Sequence, residues 1–118
     1  MSNEYFDTLS KRLVKFAMDR DWDQFHAPKN LVMALSVEAA ELTEHFQWLT
    51  EEQSNNLSKE KLEEVAFEMA DIYIYLTRLA TKLEVDLPQY VEDKININEE
   101  RYPVEKVQGS SKKYNEYD

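Results

Sequence analysis

Residues 1–108 contain no glycine, and the three prolines stand at positions 28, 88 and 103. Strands joined by tight turns need residues that accept positive φ or a fixed φ, so a chain this poor in punctuators is directed towards long helices. The apolar spacing agrees. Phe6, Leu9, Leu13, Phe16 and Ala17 step by three and four and predict a first helix that ends before the polar stretch 19–23. A second is expected over about 28–48, with Pro28 in its first turn and Leu31, Leu35, Leu42, Phe46 and Leu49 as its inward stripe. Positions 50–57 read as a polar connector. Ser58 is the expected N-cap of a third helix reaching about Leu83, with Leu62, Val65, Met69, Ile72, Leu76, Leu79 and Leu83 inward. Asp86 is the expected cap of a fourth, with Val91, Ile95 and Tyr102 facing inward and Pro103 as its stop. The expectation is one all-α domain over 1–103 followed by a polar tail, 104–118, that orders only against something else.

The third helix carries a second apolar strip, Phe67, Ala70, Tyr73 and Ile74, away from its main stripe. Two readings cover it: a homo-oligomer interface, which is the favoured one, or the N-terminal helix and the tail of the same chain.

Charge and cysteine usage narrow the function. With 24 acidic against 14 basic side chains the net charge is -10, which disfavours binding to a nucleic-acid backbone. The absence of cysteine rules out disulfides and thiolate metal sites. No stretch approaches the ~18 apolar residues of a membrane span, and positions 1–10 lack the features of a signal peptide. A cytoplasmic location with no membrane partner is the expectation. The same negative charge repels a phosphorylated ligand unless a divalent cation reverses the local field.

The acids themselves suggest where that happens. At ~100° per residue, Glu38 lies within about 40° of Leu31 and Leu42, with Glu41 and His45 beside it. On the third helix, Glu68 falls about 40° from Ile72, with Asp71, Glu64 and Tyr75 on the same flank. If the two helices are neighbours, Glu38 and Glu41 face Glu68 and Asp71 across one groove. Glu-x-x-Glu alone is usually a solvated face. Carboxylates ~5 Å apart, however, repel by roughly 3 kcal/mol at an effective dielectric of about 20, so acids bordering a core call for a cation. All-oxygen ligands select Mg²⁺, with Mn²⁺ as a substitute, over zinc. A di-iron carboxylate bundle requires Glu-x-x-His on two helices, and His26 and His45 do not supply it. His45 is better read as an ordinary hydrogen-bonding residue than as a ligand.

The run Asp21-Trp22-Asp23-Gln24-Phe25-His26-Ala27-Pro28-Lys29-Asn30-Leu31, then Glu38-Ala39-Ala40-Glu41-Leu42 and Phe46-Gln47-Trp48, resembles the MazG-like all-α nucleoside triphosphate pyrophosphatases, in particular their dCTP pyrophosphatase branch. The likeness continues through Glu64, Glu68-Met69-Ala70-Asp71, Tyr75-Leu76, Val85-Asp86-Leu87-Pro88, Lys94, Asn96 to Asn98, Arg101-Tyr102-Pro103, Gly109-Ser110 and Lys113-Tyr114, spanning roughly positions 12 to 114.

The resemblance implies a four-helix-bundle-like MazG fold, associating as dimers or a dimer of dimers. It implies hydrolysis of the α-β phosphoanhydride of a deoxynucleoside triphosphate, with Mg²⁺ held by Glu38, Glu41, Glu68 and Asp71. Glu41, rather than Glu38, is the favoured water-activating group. Trp22, His26, Trp48, Tyr75 and Asn98 correspond to the nucleotide clamp and Lys94 to a phosphate contact. Each has an ordinary alternative: Trp22 and Trp48 as core, Asn98 as a surface amide, Lys94 as a solvated charge. Helix two reads Ser36-Val37-Glu38-Ala39-Ala40-Glu41 without the glycines associated with close relatives, so dCTP or a modified dCTP is favoured while dATP or a broad dNTP range remains open. The other readings are a dUTP pyrophosphatase and a non-catalytic acidic helical interaction module.

Overall fold

Helix starts are set by side chains that accept from otherwise unpaired backbone N–H groups. In the computed structural model, which describes residues 3–111 and 114–116, Asn3 Oδ1 accepts from Phe6 N at 2.9 Å and opens α1, Glu4–Asp19. A short 3-10 turn, Asp23–Phe25, follows, and α2 runs over Pro28–Glu44 with Pro28 in its first turn. A single helical turn, α3 (Glu51–Ser54), is opened by a reciprocal capping box between Thr50 and Gln53. Ser58 Oγ accepts from Lys61 N to start α4, Lys59–Lys82, and Asp86 caps α5, Leu87–Arg101. α6 (Val104–Val107) and a 3-10 turn (Tyr114–Glu116) complete the described residues, which contain no strand. None of their helices is long and apolar enough to cross a membrane.

The ends of α1 and α4 explain how the chain turns without glycine. Trp22 N donates to Ala17 O at 2.8 Å and Asp21 N to Met18 O at 3.1 Å; Val85 N donates to Ala80 O and Glu84 N to Thr81 O in the same pattern. These are Schellman closures, in which the residue after the cap is left-handed. Asp21 and Glu84 occupy that position, each at φ 55°.

The chain forms two units, Met1–Val85 and Asp86–Asp118. In the first, α2 packs extensively along α4, and α1 packs on α4 as well. Leu31, Val65, Ala17 and Ala80 are its most buried apolar side chains, joined by Thr77, whose hydroxyl donates to Tyr73 O at 2.8 Å. The second unit holds α5, α6 and the final turn.

Several expectations are corrected. α2 stops at Glu44, with 45–48 in turns, because the closing bonds from His45 to Leu42 and from Phe46 to Thr43 span three residues and tighten the chain out of the α register. The stripe assigned to the third helix is only half inward: Val65 is buried and Ile72 and Leu79 are half-buried, whereas Leu62, Met69, Leu76 and Leu83 are exposed. Heptad spacing places these four on one flank of the helix, and that flank is exposed. The second strip also stays open, with Phe67 66% exposed. Val91 and Ile95, expected inward, are exposed too. The connector contains α3, and the expected tail contains α6. Lys113 of the resemblance and tail positions 112, 117 and 118 lie outside the described residues.

Candidate functional site

Packing α2 along α4 brings Glu38, Glu41 and Glu68 together, one carboxylate oxygen from each lying within 4.8 Å of the others. All three residues are half-buried. Oε2 of Glu38 and Oε2 of Glu68 are buried without a hydrogen-bond partner. Two carboxylates facing each other have no donor between them unless one takes a proton, and Glu38 responds accordingly. Burial first, then the Glu68 and Glu41 carboxyls beside it and the charges of Glu41 and Asp71, push it up to about 7. Three acids at ligand spacing, two of them with a buried oxygen that has no protein donor, fit a hard divalent cation better than they fit any arrangement among themselves. Asp71 stands outside the close trio, although its charge acts on Glu38.

Asp71 also lines a cavity of about 500 Å³, so the acid whose charge acts on Glu38 faces that cavity. Leu13 and Phe16 of α1, Trp22 and His26 of the following loop, and Tyr75 and Arg78 of α4 form much of its wall. Aromatic faces with a few polar groups suit a flat heterocycle. Trp22 is delivered there by the closure of α1 and meets Phe16 edge-on, ring centroids 5.7 Å apart at 70°. The Arg20 guanidinium lies 3.7 Å from the Phe16 ring centroid, and Asn30 Nδ2 donates to Phe25 O, tying the 3-10 turn to the start of α2. Trp22 remains 46% exposed, so it is a wall residue and not core.

A part-buried polar bridge holds the same loop to α4. Arg78, 4% exposed, donates from Nη2 to Asp23 Oδ1 at 3.1 Å and to His26 Nδ1 at 3.2 Å. Lys82 Nζ reaches the same Asp23 oxygen at 2.7 Å. The hydrogen bonds from Lys82 and Arg78 hold the Asp23 carboxyl below its usual range, and burial, followed by the Arg78 charge, pushes His26 down. Sequence reasoning passed over Arg78 and Lys82. The available signal was a pair of bases one helical turn apart, with Arg78 set between Leu76 and Leu79 where a solvated charge is out of place.

Of the other candidates, Trp48 is 86% exposed in the turn after α2 and does not line the cavity. Lys94 and Asn98 are exposed on α5, one turn apart, in the second unit. His45 Nδ1 is 3.9 Å from Glu64 Oε2 and is not one of the clustered ligands.

The MazG-like family model matches residues 33–117. dCTP pyrophosphatase 1 of Bos taurus is 45% identical over 115 residues, covering 96% of this chain and 68% of that protein. The Homo sapiens protein of the same name is 44% identical over 104 residues, covering 86% of this chain and 61% of its own length. This chain therefore spans roughly two thirds of the length of these relatives. A crystal structure of a pyrophosphatase from Archaeoglobus fulgidus superimposes with a TM-score of 0.80 at 34% identity, covering 87% of this chain and 96% of that one.

Proposed function

Because this chain belongs to the MazG-like family, we propose that it is a nucleoside triphosphate pyrophosphohydrolase that splits the α-β phosphoanhydride of a deoxynucleoside triphosphate, with dCTP or a modified dCTP favoured. The observation that carries the reading is a cluster of three carboxylates, two with buried and unpartnered oxygens, together with an aromatic cavity lined by Asp71, whose charge acts on Glu38 of that cluster. Its relatives are named dCTP pyrophosphatase 1, and its structural neighbour is a pyrophosphatase.

Glu38, Glu41 and Glu68, with Asp71 beside them, would hold Mg²⁺, or Mn²⁺ in its place. Such an ion screens the triphosphate from the acidic groove and polarises the α-phosphate when bound. Glu41 orients a water and accepts its proton as the water oxygen bonds to the α-phosphorus. The bond from that phosphorus to the bridging oxygen breaks in line, and pyrophosphate leaves with the electron pair while the nucleoside monophosphate remains. Trp22, His26 and Tyr75 grip the base in the cavity, with stacking worth about 1 to 3 kcal/mol. Trp48, Lys94 and Asn98 complete the clamp in the assembled enzyme, Lys94 on phosphate and Asn98 on a base edge.

The assembly is a homodimer or a dimer of dimers. The exposed apolar residues of α4, Leu62, Phe67, Met69 and Tyr73, together with Met33 and Val37 of α2, support it, as does the exposure of Trp48. The net charge of -10 supports a reading without a nucleic-acid partner, and the lack of a long apolar helix among the described residues supports one without a membrane partner, in the cytoplasm beside the nucleotide pool.

A panel of dNTPs with Mg²⁺, with and without chelator and at several protein concentrations, tests this. The expected result is pyrophosphate and monophosphate, fastest from dCTP or a modified dCTP, abolished by chelator, with activity per chain rising as subunits associate. dUTP as the best substrate transfers the assignment to a dUTP pyrophosphatase, dATP or no preference widens it, and no release from any substrate favours a binding module.

A further inference from the structure

Arg78 is a charged side chain packed into the first unit, and its contacts are unequal in kind. A guanidinium is a donor only, with two hydrogens on each terminal nitrogen. Nη2 lies 3.1 Å from Asp23 Oδ1 and 3.2 Å from His26 Nδ1, so one hydrogen goes to the carboxylate and the other to the imidazole. The second contact is a hydrogen bond only if Nδ1 has a free lone pair. A proton on Nδ1 would point an N–H at a cation that cannot accept it. His26, half-buried in the cavity wall, therefore carries its single proton on Nε2, which has no hydrogen-bond partner among the described residues. Asp23 is pinned in turn by Lys82 at 2.7 Å, so the bridge is braced from two positions on α4.

We propose that Arg78 is a positioning residue that fixes the tautomer of His26, so that the imidazole faces the cavity as a neutral Nε2–H donor for an acceptor on the nucleobase, such as a ring carbonyl oxygen. The identity of the ligand rests on the nucleotide reading of the cavity; the tautomer rests on the Arg78 contacts alone. The groups around the ring are consistent: burial and the Arg78 and Lys82 charges oppose a second proton, and only Asp23 favours it. Lysine at 78 would keep the charge and lose the planar fork that addresses two acceptors from one nitrogen.

The test is nitrogen-15 NMR of the full chain bearing His45→Gln, which leaves one imidazole, together with steady-state kinetics. At neutral pH the His26 signals are expected to show Nε2 protonated and Nδ1 as a bare acceptor. Arg78→Met is expected to mix the tautomers and to raise KM about tenfold with kcat changed by less than about twofold, the mark of a lost binding contact. An Nδ1–H tautomer or an imidazolium in the spectrum of the chain that retains Arg78 overturns the inference. So does a folded Arg78→Met protein with unchanged His26 signals or unchanged KM. If removing a buried cation prevents folding of Arg78→Met, the spectrum of the Arg78-containing chain still decides. A chain that shows the expected tautomer but hydrolyses no nucleotide retains the Arg78 assignment and loses the catalytic one.

Discussion

Glu38 titrates near 4.5 in an unfolded chain and at about 7 in the folded, metal-free one. Folding between those values takes up a proton. The stabilisation from Glu38 is therefore fully present below pH 4.5, declines as pH rises towards 7, and is lost above it. Asp23 has the opposite sign, contributing above the ordinary carboxylate range and losing that contribution as pH falls through its depressed value. Glu38→Gln is expected to abolish turnover, to remove the decline between pH 4.5 and 7, and to leave the metal-free protein at pH 7.5 as stable as the parent or more so, since one member of a repelling cluster is gone. Thermal unfolding in chelator across pH checks this; a variant that melts lower than the parent at pH 7.5 contradicts it. At this scale the placement of Glu38, Glu41 and Glu68 together was readable because each borders an apolar stripe. Asp71 was read with them, yet it stands apart from the close trio. Arg78 itself left a signal in its apolar setting, but its partners were not legible, because they lie 52 and 55 positions away in a loop and no local period records such a contact.

Among the elements, the long helices were legible because stripe and cap agree at each start: Ser58 opens α4 and Asp86 opens α5 as their side-chain chemistry predicts. Their inward faces were less so. Apolar residues run around much of α4, and sequence alone does not say which of two apolar flanks a neighbour covers, hence the exposure of Leu62, Met69, Leu76 and Leu83. The ends of α1 and α4 were placed by the apolar spacing, but the way they close was not, since acids at Asp21 and Glu84 stand where a helix-ending glycine would announce a left-handed turn. A left-handed conformation at a non-glycine residue costs about 1 kcal/mol. Glu84→Gly, whose side chain is exposed and takes no part in the candidate site, is therefore expected to raise the melting temperature by a few degrees. Ser58→Ala is expected to lower stability by about 1 kcal/mol through loss of the α4 cap. Circular dichroism melts of both variants check these effects, and a destabilised Glu84→Gly would mean that the closure depends on the glutamate itself.

For the whole molecule, a chain carrying a net charge of -10 concentrates three acids at a helix pair, and Asp71, whose charge acts on Glu38, lines a cavity suited to a heterocycle. Both features are reconciled if the acids are a cation site and the phosphates of the ligand share that cation. The all-helical class and the pairing of two acid-bearing helices were accessible from spacing. What a single helical pattern does not encode is which apolar faces stay exposed on the chain and that Trp48, Lys94 and Asn98 are not part of the cavity lining. The most direct test of the account is anomalous diffraction from crystals grown with Mn²⁺ and a non-hydrolysable dCTP analogue. It predicts an anomalous peak within about 2.2 Å of carboxylate oxygens of Glu38, Glu41 and Glu68, with the base against Trp22 and His26. A peak at other acids, or an analogue bound away from that cavity, would contradict it.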